Sequence, residues 1–515
     1  MLDQGASIKG MYNQCEAERR TYLDRGRDSS ALTIPTILPD DSTTGHKRFP
    51  TPFQSLGARA VNNLSSALLL SLLPPNAPFF RLILDEREMR KMDGIDPRIK
   101  TEVESSLSDI ERSVSREIES NNIRVSTFEA LRHLVVTGNA LLYLPEKGPM
   151  RVIHLDRFVC KRDPMGNARV IIIKENVSPA MLPEYAQQYA EAKKSKFDDT
   201  CEIFTMQHTL PNGKVEVVQE IFGHILEETR TIYEKNRSPF IALRMLRVDG
   251  ESYGRGYVEQ YYGDLQSLEG LSKAIVEGSA AASKVLFLVN PNGTTRARTL
   301  AESPNGSIRE GSAADVSVLK VDKTQDFSIT LQAMQTISER LSYAFLLTEA
   351  SIRNADRVTA EEVRLVTQSI ERQLGGIYSV LSQEFQLPLV NRIIDRMQKQ
   401  KKLPKIPKDK VTPTIITGID ALGRGNDLSK LDIYLQGIAQ TVGPEALGQY
   451  VNIREYMSRR ASALGIDTEG LVRTEEEIQG MMQQQQMMGL AQQAAPQAIS
   501  TVAGQVQQDM ENESV

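Results

Sequence analysis

The spacing of apolar residues changes twice along this chain, and these changes constrain the fold more than any other feature. Near the start the apolar residues recur every four positions, as on one face of a helix: Leu56, Ala60, Leu64, Leu68 and Leu72. Between residues 139 and 250 the period becomes two, which is typical of half-buried strands. After residue 255 helical spacing returns. The patterning predicts an α+β protein that is predominantly helical.

The predicted elements follow from this patterning. Strands are expected over residues 140–145, 151–161, 168–174, 201–209, 214–222, 240–248 and 411–417. Helices are expected over residues 8–25, 56–72, 97–120, 125–137, 257–284, 331–347, 359–386, 428–440, 444–464 and 474–488. Gly138 is placed to end one helix in a left-handed conformation. The Gln/Met/Ala-rich end of the chain is expected to fade into a disordered tail.

The helix predicted over residues 359–386 has a defined start and a weak point. Thr359 and Glu362 match a capping box. In this motif the Thr359 hydroxyl accepts a hydrogen bond from the backbone N–H of Glu362, and the Glu362 side chain accepts one from the backbone N–H of Thr359. Gly375 and Gly376 lie in the middle of this helix. Each glycine costs about 1 kcal/mol relative to alanine in a helix interior. We therefore predict a hinge of the long helix at Gly375 and Gly376.

Charge and ligand-forming residues exclude several classes of protein. The 515 residues contain 61 Lys and Arg against 66 Asp and Glu, a net charge of −5, unlike a strongly basic DNA-binding domain. The three cysteines are widely spaced and the five histidines form no HExxH pattern. No phosphate-binding glycine loop is present in the sequence. We expect no cofactor, no metal, no signal peptide and no membrane span.

One short motif raises an enzymatic alternative. Residues 250–254, GESYG, match the G-x-S-x-G of a hydrolase nucleophile elbow, with Ser252 as the nucleophile. That fold orders its triad as serine, acid, histidine, whereas every histidine here precedes Ser252. Arg244 and Arg247 also lie in the preceding predicted strand, which in a hydrolase is almost entirely apolar. A tight strand-to-helix turn is therefore the favoured interpretation, and the chain is not expected to be an enzyme.

Longer segments point to a family. They are TPFQSLGARAVNNLSSALLLSLLPP (51–75), FEALRHLVVTGNALLYLPE (128–146), RMLRVDGESYGRGYVEQYYGDLQSLEGL (244–271), SKVLFLVNP (283–291), RVTAEEVR (357–364), LGGIYSVLSQEFQLPLV (374–390) and PTIITGIDALGRGNDLSKL (413–431). In this order they resemble the head–tail connector, or portal protein, of short-tailed bacteriophages of the autographivirus type. The resemblance runs from about residue 30 to about residue 470, and it contains the GESYG segment.

The resemblance implies a ring, usually of twelve subunits, at one vertex of the viral capsid. It implies the following segments: a wing (1–256), a stem helix (257–284), a clip (285–326), a second stem helix (327–346), a tunnel loop (347–358), a long wing helix with a return strand (359–425), a crown (426–490) and a disordered tail (491–515). Such a ring is assembled in the host cytoplasm and becomes part of the virion. Its axis is the channel through which double-stranded DNA is packaged and ejected.

The resemblance also implies partners and a candidate site. The partners are other copies of the chain, double-stranded DNA without sequence specificity, terminase, a tail or adaptor protein, capsid and scaffolding proteins, and internal core proteins; no membrane is involved. Arg353 and Arg357 lie in the predicted tunnel loop. In a symmetric ring each becomes a circle of positive charge that can contact phosphates. We predict that Arg353 and Arg357 contact the DNA in the channel.

Overall fold

The computed structural model describes residues 7–39, 49–75, 79–84, 97–191, 200–282, 286–319, 324–347, 373–404, 411–415, 433–441, 443, 451 and 456–457. The chain forms two compact units, Met1–Ala421 and Leu422–Val515. In the second unit, residues 433–441 are helical, within a region where a helix over 428–440 is predicted. The helices predicted over 444–464 and 474–488 lie almost entirely outside the described residues.

Along the chain, most helices of the first unit come before residue 139 or after residue 256, and most of its strands lie between these positions. They are α1 (Ile8–Ala31), α2 (Leu56–Leu72), α3 (Pro97–Ser120), α4 (Ile123–Thr137), α5 (Glu184–Glu191), α6 (Tyr257–Gln260), α7 (Tyr262–Ala282), α8 (Ala297–Ala301) and α9 (Thr324–Ala344). A further helix, α10, runs from residue 373 to Lys399. Gly138 adopts the predicted left-handed conformation after α4, with φ of 77°.

The strands form antiparallel sheets. They are β1 (Phe80–Leu84), β2 (Asn139–Tyr143), β3 (Arg151–Ile153), β4 (Phe158–Arg162), β5 (Ala168–Val177), β6 (Cys201–Thr209), β7 (Val215–Ile221), β8 (His224–Tyr233), β9 (Phe240–Arg244), β10 (Leu286–Val289), β11 (Val316–Leu319) and β12 (Val411–Ile415). The strand orders are β4-β5-β6-β7-β8, β3-β2-β9, β10-β11 and β1-β12. In the last sheet Pro413 is opposite Leu82. Proline fits there because both strands of a two-stranded sheet are edge strands, where a missing backbone N–H is tolerated.

The main core lies where α2, α4 and α10 meet β2. Leu64, Leu68, Leu134, Leu141 and Leu389 are completely buried in it. The four-residue spacing of Leu64 and Leu68 puts both on the inner face of α2, as the sequence predicts. Burial of each large apolar side chain stabilises the fold by about 1.5–3 kcal/mol.

Several predicted elements are wrong in their bounds: the strand expected over 240–248 ends at Arg244, the helix expected over 8–25 continues to Ala31, and the helix expected over 331–347 begins at Thr324. Two further differences have a clear physical reason. The strand expected over 151–161 is two strands in different sheets, separated by a 3₁₀ turn at Leu155–Arg157 whose Leu155 is buried. Helix α10 does not end near residue 386 but continues to Lys399. In an α-helix the ring of Pro388 would meet the carbonyl of Glu384. A π-turn over Ser382–Gln386 widens the helix at this point, so the helical backbone can continue.

Other differences concern exposed or short elements. The sequence analysis missed β1 and β8; β8 is an edge strand with mostly exposed residues, so it lacks strict alternation. The helix predicted over 257–284 is divided at Tyr261. Within the part of the chain that the structure describes, no helix is both long enough and apolar enough to cross a bilayer.

Candidate functional site: the helix pair and its anchor

Helices α7 and α9 form an antiparallel pair, called here the helix pair. Near one end, Arg340 Nη2 lies 2.9 Å from Asp264 Oδ1. Near the other end the two backbones approach closely, because a Cβ atom at Gly278 would lie only 3.0 Å from Phe327 Cε1. The two contacts match an antiparallel register, since residue numbers rise along α7 as they fall along α9.

The helix pair ends in a hairpin segment, residues 286–319, built on strands β10 and β11. Leu286 is opposite Leu319, and Val289 is opposite Val316. The Asp315 carboxylate organises the loop between the strands, because it accepts hydrogen bonds from the backbone N–H groups of Thr294 (2.8 Å) and Thr295 (3.1 Å). These hydrogen bonds, that from Thr295 first, lower the pKa of Asp315. The carboxylate therefore stays charged and keeps the loop closed at neutral pH.

Aromatic side chains anchor the base of the helix pair. Tyr257 and Tyr261 both pack edge-on against Phe345, with ring centroids 5.2 and 5.4 Å away. The Tyr257 hydroxyl donates a hydrogen bond to the carbonyl of Ala344 at 3.0 Å. Asn63 on α2 donates to the carbonyls of Phe345 and Leu346, each at 3.0 Å. The end of α9 is thereby fixed to the main core before the chain enters residues 348–372.

Away from this base, the helix pair and the hairpin segment have no core of their own. None of the described residues between Lys273 and Arg340 is buried. Large apolar side chains are instead exposed along this stretch: Val276, Phe287, Leu288, Leu300, Ile308, Ile329 and Leu331. Helices and hairpins in water normally need an apolar face packed against another element. The described residues therefore leave the apolar surface of this segment uncovered.

The GESYG turn is a structural element beside the anchor. The side chain of Asn139 clamps it, accepting from Gly254 N at 2.8 Å and donating to Gly254 O at 2.7 Å. A Cβ atom at Gly254 would lie 2.7 Å from the carbonyl of Gly138, so only glycine fits there. Ser252 Oγ accepts from the backbone N–H of Arg162 at 3.4 Å, and no described contact joins it to a histidine. The turn therefore holds α6 against α4, and nothing in its geometry supports hydrolysis.

A buried ion cluster connects α10 to the sheets. Glu384, within the π-turn, is paired with Arg244 of β9, whose Nε lies 3.1 Å away. Arg162 Nη1 lies 3.9 Å from the same carboxylate. Arg162 also donates to the carbonyl of Ala242 at 2.9 Å and to that of Gly166 at 2.8 Å. The exposed fractions of the Arg244 and Glu384 side chains are 2% and 19%, so solvent screens this pair weakly.

A cavity of about 400 Å³ separates α10 from the anchor. Its lining includes Tyr257, Tyr261, Gly376, Ile377 and Val380. A Cβ atom at Gly375 or at Gly376 would meet no atom within 4 Å. Both glycines therefore lie in regular helix beside open space, which is the geometry that a bend would need. Their role as a hinge stays a prediction.

The structure does not describe the other predicted site residues. Arg353 and Arg357, like the capping box at Thr359, are outside the described residues. The sequence analysis missed the Arg244–Glu384 cluster. The sequence offered one signal, Arg244 in a predicted strand, but it was used only as an argument against a hydrolase, and no charged partner was inferred from it.

Comparisons with known proteins give matches that cover most of the chain. A family model described as bacteriophage head to tail connecting protein matches residues 6–472. The chain is 39% identical over 499 residues to the portal protein of Escherichia phage T7, covering 95% of this chain and 92% of that protein. It is 38% identical over 483 residues to the portal protein of Enterobacteria phage T3, covering 92% and 90%.

A solved structure gives a more distant match. The neck of an empty gene transfer agent particle, computed with C6 symmetry, contains a chain that aligns with a TM-score of 0.35 and 10% identity. The alignment covers 80% of this chain and 90% of that chain.

Proposed function

The chain belongs to the family of bacteriophage head-to-tail connecting proteins, the portal proteins, and from this premise we propose that twelve copies close into a ring around a DNA channel. As a member of that family it is a structural connector of phage head and tail, not an enzyme. The ring places the chain at a capsid vertex of the virion after assembly in the host cytoplasm.

The observation that carries this proposal is that none of the described residues between Lys273 and Arg340 is buried. In a ring, the helix pair and hairpin segment of each copy pack against those of the two neighbouring copies. The exposed apolar side chains, among them Phe287 and Ile329, then become buried. Closed rotational symmetry satisfies every copy equally and leaves no unpaired interface.

The proposed ring divides the chain as follows. Residues 1–256 form the wing, α7 and α9 the stem, 285–326 the clip, 347–358 the tunnel loop, 359–425 the long wing helix with its return strand, 426–490 the crown, and 491–515 a disordered tail. The clip docks terminase during packaging and a tail or adaptor protein afterwards. The wing and crown face capsid, scaffolding and internal core proteins.

The charge of the helix pair suits a channel that DNA must slide through. Helices α7 and α9 carry the carboxylates Asp264, Glu269, Glu277, Asp326 and Glu339, against the basic residues Lys273 and Arg340. Double-stranded DNA carries one negative charge per ~1.7 Å of its axis. A mildly acidic stem repels this charge and keeps the DNA centred, whereas a basic stem would hold it.

The mass of the particle in solution tests the ring. Light scattering on the purified full-length chain is expected to give twelve times 57.4 kDa, and negative-stain images are expected to show rings with a central hole. A stable species of one or two chains at micromolar concentration would contradict the proposal.

We propose that Arg353 and Arg357 are the residues that grip DNA in this channel. The double variant Arg353→Ala, Arg357→Ala should form rings but lose DNA retention several-fold, because two circles of positive charge disappear. DNA retention is measured as genome release from phage particles on heating. Arg112→Ala, which removes a partly exposed arginine on α3, serves as the control. Normal packaged length and normal retention in the double variant would remove both arginines from the mechanism.

We propose that Gly375 and Gly376 allow α10 to bend and so move the tunnel loop. Both alanine substitutions fit without a clash and should stabilise the helix by about 1 kcal/mol each. In the double variant, hydrogen exchange of residues 347–372 should slow and DNA retention should change. Gly10→Ala on α1 is a matched control, because that helical glycine also faces open space. Unchanged exchange and retention would show that no hinge operates there.

A further inference from the structure

Three side chains that can bind a metal ion converge between α4 and the end of β3. Glu129 and His133 are four residues apart on α4, so they lie on one face of the helix. His154 follows β3 and precedes the 3₁₀ turn Leu155–Arg157. One ligand atom from each residue lies within 4.8 Å of those of the other two. The histidines are 21 positions apart in sequence, which is why no short motif reveals the cluster.

His133 has an unusual environment for a side chain with only a structural role. It is 4% exposed, and within the described part of the chain its Nδ1 atom has no hydrogen-bond partner. A buried polar atom without a partner costs about 1–3 kcal/mol. A metal ion bound through Nδ1 would remove this cost.

The elements that carry these residues are tied together. Ser126 on α4 donates a hydrogen bond to the carbonyl of Met150, just before β3, at 2.9 Å. In the sheet, Ile153 of β3 is opposite Leu141 of β2. The two histidine rings lie 4.6 Å apart between centroids, with their planes at 60°. The two imidazoles are thus held close together by packing before any ligand arrives, and the exposed Glu129 side chain has the most room to adjust.

We propose that Glu129, His133 and His154 form a binding site for a divalent transition-metal ion, with Zn²⁺ as its best match. Two imidazole nitrogens and one carboxylate oxygen are ligands that Zn²⁺ accepts, and three protein ligands leave a fourth position for water. Zn–ligand bonds of ~2.0–2.2 Å place the ligand atoms about 3.4 Å apart around a tetrahedral ion. A rotation of the Glu129 side chain and small shifts of the rings close the difference from 4.8 Å.

A metal ion here would clamp α4 to the segment that crosses from β3 to β4. These strands belong to different sheets, so the clamp would join the two sheets near the crossing. Because the three ligands come together only in the folded chain, binding stabilises the fold in proportion to the logarithm of the metal concentration. The site is a property of a single chain and does not depend on the proposed ring.

Zinc content measured on the full-length protein tests the site. After incubation with Zn²⁺ and dialysis, mass spectrometry of the metal is expected to find one zinc per chain. The variants His154→Gln and Glu129→Gln should each weaken Zn²⁺ binding at least about 100-fold, because even outer-shell partners of a metal ligand contribute 10–100-fold. Added Zn²⁺ should raise the thermal midpoint of the wild-type protein and leave that of His154→Gln unchanged.

The controls separate this site from other histidines and from unfolding. His224→Gln removes an exposed histidine on β8 and should bind zinc like the wild type. His133 is buried in the core, so the His133→Gln variant can fail to fold. In that case the variants of the more exposed Glu129 and His154 decide the result. Absence of stoichiometric zinc in the wild-type protein would overturn the proposal. So would equal zinc affinity in the wild type and His154→Gln.

Discussion

The double variant Phe287→Asp, Ile329→Asp is expected to remain as single chains, whereas we propose that the wild type forms rings. These side chains are 60% and 68% exposed in the isolated chain, in a segment without any buried described residue. Each would contribute about 1.5–3 kcal/mol when buried against a neighbouring copy. Aspartate removes this contribution and adds the cost of burying an unpaired charge. Because the loss recurs at every interface of a ring, a complete shift in mass is expected.

The matched control for this variant is Met165→Asp. Met165 is 78% exposed but lies in the turn between β4 and β5, outside the helix pair and the hairpin segment. Its replacement should leave the ring mass unchanged in light scattering. If the double variant still has the wild-type mass, then the helix pair and hairpin segment are not the assembly surface, whatever the wild type forms.

The substitution Glu384→Ala is expected to lower the free energy of unfolding by about 3–5 kcal/mol. It leaves the buried guanidinium of Arg244, and that of Arg162, without the carboxylate that compensates their charge. It also removes a link between α10 and β9. Urea unfolding midpoints measure the effect, compared at one chain concentration because assembly also stabilises the fold.

An exposed ion pair provides the control for this second prediction. Arg151 and Glu175 lie 2.6 Å apart, closer than most pairs, but the arginine side chain is half exposed. Glu175→Ala should therefore cost no more than about 1 kcal/mol. The combined variant Arg244→Met, Glu384→Leu should recover most of the lost stability, since an apolar pair of similar volume often replaces a buried ion pair without loss. A cost for Glu384→Ala as small as that of Glu175→Ala would show that water reaches the cluster.

Local patterns predicted the parts of the fold that depend on near neighbours in sequence. The four-residue repeat from Leu56 to Leu72 identified α2 with its inner face, and Gly138 was correctly placed at the end of α4. The strand over 151–161 was wrong because the backbone changes sheets at Leu155, which no period reveals. Helix α10 was too short in the prediction because the π-turn that accommodates Pro388 is not encoded by apolar spacing.

The sequence also predicted part of the candidate site. The family resemblance identified the connector family from the sequence, and the GESYG motif lies within the resembling segments. The division into wing, stem, clip and crown, the DNA contacts of Arg353 and Arg357, and the hinge at Gly375 and Gly376 stay predictions.

The sequence by itself determined the family, the positions of α2, α3 and α4 and the mild acidity of the chain, because these depend on residue order and composition alone. Only the tertiary structure decided that Glu384 pairs with Arg244, 140 positions away, and that Glu129, His133 and His154 meet. It also showed that none of the described residues from Lys273 to Arg340 is buried. Charge pairing, ligand clusters and burial depend on distances in space, and the folded backbone alone sets those distances.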